Sequence, residues 1–246
     1  MRPGNVSRVW QRLSRAVMAA FLLTGCAGGG GLVTLSPVSA PPPSTPAAVT
    51  PSLSPSAGPS VPEHGNGTFS SIAGGGTAIE GMAGTLVTYC VLLEDGITTF
   101  TADGFAAAVD MVLADPRSWI AARRWRFQRL PTCAIVDLRV HLATPDTTDR
   151  RCYPAADTEG RYSCRHGDNI FINLRRWTLG VPHFGDDLAT YRRMVVNHEV
   201  GHYLGFSHVP CPGPGRLAPV MQTQTIAMHG CVINPYPYPD GVDYVG

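Results

Sequence analysis

The chain has 246 residues, a net charge of +1 and 15% charged residues, and all nineteen basic residues are arginine. So near-neutral a balance gives no electrostatic footprint for nucleic acid, and no such partner is expected. The one basic cluster, "RRWR" at residues 123–126, reads as a solvated face.

In chain order, residues 1–25 read as a targeting segment: Arg2, Arg8, Arg12 and Arg15 precede a short apolar run at residues 16–23. Eight apolar residues are too few for a lasting membrane span. The tetrapeptide "LTGC" ending at Cys26 resembles the lipobox of bacterial lipoproteins. That resemblance implies lipidation of Cys26 and attachment to the outer side of the cytoplasmic membrane through its acyl chains. The rival is ordinary cleavage near "VSA" at residues 38–40, disfavoured by Pro41, which would make the protein secreted. Taking the four leader arginines from +1 leaves the mature chain near −3.

Residues 27–62 carry nine prolines amid Ser, Thr, Ala and Gly. This composition cannot form a core and predicts an extended tether, about 110 Å long if wholly polyproline-like. The Ser/Thr–Pro mixture permits O-glycosylation. A Gly-rich patch follows at residues 65–84. The expected organisation is therefore a leader over 1–25, a lipidated cysteine and disordered linker over 26–76, and one folded domain over 77–246. A monomer is expected.

Within that domain "TLVTYCVLLE" at residues 85–94 reads as a strand. "DGFAAAVDMVLAD" at residues 103–115 reads as a helix capped near Asp103 and stopped before Pro116. "CAIVDLRVHLA" at residues 133–143 and "DNIFINL" at residues 168–174 read as further strands. Leu188, Tyr191, Val195 and His198 then follow at steps of three and four, which predicts a long helix capped by Asp186 or Asp187 and ended by Gly205.

That helix ends in "NHEVGHYLGFSH", residues 197–208. His198 and His202 are four apart and share one helix face. Gly205 can adopt a left-handed backbone and turn the chain so that His208 completes a trigonal cluster. Three neutral imidazoles with an open fourth position are the ligand set of a catalytic Zn2+ site rather than a closed structural one. Glu199 is placed to act as base toward the metal's water. The pattern H-E-x-x-H-x-x-G-x-x-H would arise by chance in a chain of this composition with a probability on the order of 10⁻⁵. His64, His141, His166, His183 and His229 read as ordinary surface or core histidines.

Thirteen residues after His208 comes Met221, in "APVMQ" at residues 218–222. The long histidine motif followed by a methionine turn resembles the metzincin clan of zinc peptidases. The resemblance implies that Met221 lies beneath the metal as an apolar floor. It implies an α+β, zincin-like fold with a mixed sheet, two long helices and a loop-rich C-terminal part. It also suggests that the strand before the site helix, residues 169–174, lies along the cleft and pairs with extended substrate, although an ordinary edge strand fits as well. "LADPRSW", "RFQRL", "NLRRWTLGVPHFGDDLATYRRMVVNHEVGH" and "CPGPGRLAPVMQTQT" further resemble an actinobacterial family of secreted, metzincin-like proteins, over about residues 61–239. No substrate follows from that likeness.

Setting Cys26 aside leaves Cys90, Cys133, Cys152, Cys164, Cys211 and Cys231. An even set in an exported protein reads as disulfides, and six permit 15 pairings. Neighbours are expected to pair: Cys152 with Cys164 and Cys211 with Cys231, both within the span of the resemblance, leaving Cys90 with Cys133. Three departures from the clan stand out. No tyrosine closely follows Met221, and nothing selects among Tyr203, Tyr236 and Tyr238. Only 25 residues follow Met221, few for a long C-terminal helix. The linker offers no second cysteine for a thiol switch. The expected function is a zinc-dependent endopeptidase acting on peptide or protein substrates outside the cytoplasmic membrane. The alternative is an envelope lipoprotein that binds a peptide or wall component and holds zinc without catalysis.

Overall fold

In a computed structural model, which describes residues 60–246, the chain forms a six-stranded mixed sheet with helices on both faces. The leader, Cys26 and the linker up to residue 59 lie outside the described residues. The strands are β1 (Phe69–Ser71), β2 (Thr85–Glu94), β3 (Trp125–Arg129), β4 (Leu138–Ala143), β5 (Cys164–His166) and β6 (Asn169–Asn173). The helices are α1 (Ala102–Ala114), α2 (Pro145–Cys152), α3 (Leu174–Leu179) and α4 (Leu188–Tyr203). The sheet order is β1-β2-β4-β6-β5, with β3 pairing β2. β2, β3, β4 and β6 are mutually parallel, while β1 and β5 run antiparallel to their neighbours. The α+β class with a mixed sheet is as expected.

Period-two alternation explains which residues the sheet buries. Val87, Tyr89 and Val91 of β2, Leu138, Val140 and Leu142 of β4, and Ile170 and Ile172 of β6 enter the main core with α1 and α4. The other face carries a smaller cluster of Ala143, Cys152, Cys164 and Phe171 beside α2. Three disulfides pair as neighbours, Cys90–Cys133, Cys152–Cys164 and Cys211–Cys231.

Local chemistry sets the ends of α1. Its cap is Thr101, whose hydroxyl accepts the Gly104 N–H, rather than Asp103, which lies in the first turn. The fold also begins upstream of residue 77. β1 pairs the last residues of β2, and Val61 packs on the main core. The glycine and serine around β1 disguised it, because a three-residue strand has too little alternation to read. Likewise, β4 begins at Leu138 and not at Cys133. Asp137, just before it, instead accepts hydrogen bonds from the Thr88 N–H and hydroxyl.

The largest correction concerns β6. Residues 169–173 pair β4 on one side and β5 on the other, so this strand has no free edge for a substrate. The edge belongs to β5. A two-residue turn, Gly167–Asp168, folds β5 back onto β6, with Gly167 at a φ of 61°.

Candidate metal centre

Helix α4 starts at Asp187, one of the two aspartates expected there; its side chain accepts the Thr190 N–H. Met194 through Gly201 are all buried, so this two-turn stretch is enclosed all round rather than along one stripe, while His202 and Tyr203 beyond it are half-buried. Asn197 explains how a polar residue tolerates this. Its side chain accepts from the Ser118 hydroxyl (2.7 Å) and donates to the Pro235 carbonyl (2.9 Å). The Trp119 indole N–H donates to the Asn197 carbonyl.

The helix ends in a Schellman turn. Gly205 N–H donates to the His202 carbonyl and Phe206 N–H to the Gly201 carbonyl, with Gly205 at a φ of 95°. Phe206, the residue after the glycine, stacks on Trp119 at a centroid distance of 4.7 Å, which anchors the turn to the core. The turn does two things for the site. It sends the chain back to His208, and it places the Phe206 carbonyl against His202 Nδ1 at 2.9 Å.

His198, His202 and His208 come together as expected, with candidate ligand atoms all within 4.8 Å of one another. His208 Nε2 lies 3.0 Å from His202 Nε2 and 3.3 Å from His198 Nε2. His198 Nδ1 faces the Val220 carbonyl at 2.9 Å. Backbone carbonyls can only accept, so both helix histidines carry their proton on Nδ1 and present Nε2 as a lone pair. Burial holds His198 down to about 3, assisted by the neighbouring imidazoles, and lowers His202 and His208 as well. Two neutral rings thus aim lone pairs at one point, and His208 brings its Nε2 to the same place. Ligands around 2.05 Å from a tetrahedral centre stand about 3.3 Å apart, close to the spacing found. The cluster fits a divalent metal ion with imidazole affinity.

Val220 belongs to the turn of residues 219–222, closed by Gln222 N–H on the Pro219 carbonyl. Met221 is fully buried, and its sulfur sits against Gly201 between the two helix histidines. Any Cβ at Gly201 would collide with that sulfur and with the Trp119 ring. Two buried amides hold the turn. Gln224 donates to the Pro219 and Asn234 carbonyls, and Asn234 donates to the Ala218 carbonyl. The Cys211–Cys231 disulfide ties the two ends of this segment, and Val209 N–H donates to the Met221 carbonyl.

Glu199 lines the same cavity as the histidines, a cleft of about 540 Å³. Its Oε2 is buried and has no hydrogen-bond partner. Burial raises its carboxyl to about 8. Of the six buried side-chain nitrogen and oxygen atoms left without a hydrogen-bond partner among the described residues, Glu199 Oε2 alone belongs to a residue lining this cleft.

Tyr203, Tyr236 and Tyr238 do not line the cleft; Tyr162 and Arg165 do, from the segment that ends in β5. Neither stands out in the sequence. The available signal was Gly167–Asp168, a hairpin dipeptide whose upstream arm is residues 164–166. Opposite them, Thr223 and Thr225 follow the methionine turn. No helix follows Met221, in keeping with the short remainder. His64, His141, His166, His183 and His229 stand outside the cluster, which is the one group of three or more metal-competent side chains among the described residues.

A family model described as "Protein of unknown function (DUF3152)" matches residues 55–235. No curated protein and no solved structure matches the chain.

Proposed function

The chain belongs to the DUF3152 family, and from the geometry of its histidine cluster we propose that it is a zinc-dependent endopeptidase of metzincin type. The observation that carries the reading is one of convergence. Three imidazole nitrogens and one unpartnered buried carboxyl oxygen open onto a single cleft.

His198, His202 and His208 would hold zinc, which when bound supplies a Lewis acid for the scissile carbonyl and lowers the pKa of a water. The raised carboxyl is that of the metal-free site; a cation held by the three histidines would favour its ionised form. In that form Glu199 Oε2 takes the proton of the attacking water and delivers it to the departing amine nitrogen. The Val220 and Phe206 carbonyls keep His198 and His202 in the required tautomer. Met221, packed on Gly201, serves as the apolar floor that the resemblance implies. The free edge of β5 takes the part first expected of β6: an extended substrate adds to it as a further strand.

The test is peptide-library digestion by the chain without its leader. Turnover should be abolished by a zinc chelator and restored by zinc. A chain that binds one zinc and cuts no peptide would support instead the non-catalytic envelope lipoprotein. The unpartnered Glu199 carboxylate argues against that alternative, since a site built only to hold metal has no use for it.

The leader and "LTGC" support a proposal about place: Cys26 is lipidated, and the proline-rich tether carries the catalytic domain off the outer face of the cytoplasmic membrane. Mass spectrometry of the mature N-terminus checks it. An unmodified terminus near Pro41 would make the protein secreted.

A further inference from the structure

The cleft carries a cation that the catalytic scheme leaves unused. Arg165 is the middle residue of β5, the edge strand. Its partner across the sheet is Ile170, a residue of the main core, so the Arg165 side chain stands on the face of the sheet that packs α4. It lines the cleft together with His202 and His208. Among the described residues its guanidinium makes no ion pair within 4.0 Å; Asp157, the exposed acid on the same cleft, accepts the Glu159 N–H instead.

The backbone of Arg165 is equally unpaired, for a reason set by the hairpin. His166 and Asn169 flank the two-residue turn and form the hydrogen-bonded pair that closes it. Pairs alternate along an antiparallel ladder, so Arg165 and Ile170 form a non-hydrogen-bonded pair. The Arg165 N–H and C=O therefore point away from β6, out of the sheet edge. No other backbone group among the described residues meets them. An arriving extended peptide can bond both. Where it runs antiparallel to β5, the peptide residue directly opposite Arg165 lies about 5.5 Å away, Cα to Cα, and shares its face.

We propose that Arg165 makes this an acid-selecting cleft: the bound peptide carries Asp or Glu opposite Arg165, paired with its guanidinium, at a fixed distance from the bond cut. This deepens the peptidase reading and rests on it only for calling the peptide a substrate. Lys or Arg at that position is disfavoured by like-charge contact. The flanking residues of β5 add no selection on this face, since Cys164 is bound to Cys152 and its side chain, like that of His166, alternates to the other face.

The probes are blocked, fluorescein-labelled extended peptides, identical except that each position in turn is Glu, Gln or Lys. They are read by anisotropy and by cleavage with the zinc-loaded chain. One position should prefer Glu over Gln by about two- to fivefold, the range of a solvent-exposed cross-strand ion pair, and the preference should shrink with added salt. Arg165→Ala should remove it, and Arg165→Glu should move it to Lys; neither change breaks an intramolecular ion pair. Equal binding of the Glu and Gln peptides at every position, or a preference that survives in Arg165→Ala, overturns the proposal, as does failure to bind any of the set. Cleavage without acid preference overturns it while leaving the peptidase reading standing. Arg165-dependent binding without cleavage upholds it and sinks the peptidase reading.

Discussion

Two cavities of nearly equal volume carry buried histidines, about 540 Å³ at the end of α4 and about 530 Å³ on the far side of the sheet. The second is lined by Phe69, His141, Arg151, His166 and Phe171, with two histidines against three in the first. What separates them is where the ring nitrogens point. His141 Nε2 meets Asn169 Oδ1 at 3.1 Å, and its ring lies flat on Phe171. His166 Nδ1 donates to the Arg151 carbonyl. In the first cavity each helix histidine uses its outer nitrogen on a backbone carbonyl and sends the inner one to a common point. Burial and histidine content do not make a metal site; convergence of lone pairs does.

The hardest test of this contrast is chemical. Glu199→Gln should lower peptide hydrolysis by about a thousandfold or more while zinc content stays at one per chain, read by mass spectrometry of the metal. A mutant with full activity would remove Glu199 from the mechanism. His141→Phe should leave hydrolysis unchanged, because nothing converges on that ring.

Metal affinity should divide the cavities next. His208→Ala removes one of the three proposed ligands and should weaken zinc binding by about a hundredfold or more, in chelator competition. The same titration should give wild-type affinity for His141→Phe.

Acid should then act on both regions alike. Burial holds His141 at about 4 and His198 at about 3 when folded, against 6.5 for an ordinary histidine. The unfolded chain therefore binds more protons below pH 6.5, and stability falls as pH drops from 6.5 toward 4. The His141 share is roughly 3 kcal/mol at the bottom of that window. Urea midpoints of the metal-free chain at pH 7 and pH 4.5 should show a smaller loss in His141→Phe than in the wild type. Glu199, raised to about 8, works the other way: its contribution is intact below pH 4.5 and fades as pH rises through 8.

The smallest effect expected is steric. Gly201→Ala pushes a methyl into Met221 and Trp119, an overpacking that should cost about 1–3 kcal/mol of stability, read as a lowered Tm. Because Met221 lies in the turn whose Val220 carbonyl orients His198, zinc affinity should fall with it, which no equivalent change near His141 would produce.

Much of the site was legible because its parts are close in sequence. Four-residue spacing on a helix puts His198 and His202 on one face, and a left-handed glycine returns His208 within six residues; both follow from backbone geometry alone. The neighbour disulfides were also anticipated. What failed was the strand beside the cleft. "NIFINL" alternates well enough to be recognised, but whether such a strand lies at an edge depends on what pairs with it, and β5 has only three residues to announce itself. Asn197, Gln224 and Asn234 were missed for a related reason. Each is buried by partners far along the chain, at Ser118 and Pro235, at Asn234, and at Ala218, and polar residues read locally as surface.

The sequence by itself determined the histidine triad, the glutamate beside it, the helix that carries them and the glycine that ends it, since all are governed by interactions within a few residues. Tertiary structure alone decided that residues 194–201 of α4 are enclosed, that the turn carrying Met221 presses on Gly201, that Glu199 Oε2 is buried without a partner, and that β5, with Arg165 at its centre, is the open edge. Those outcomes depend on strand order and on packing between distant segments, and a register or an edge has no signature in the residues that come to occupy it.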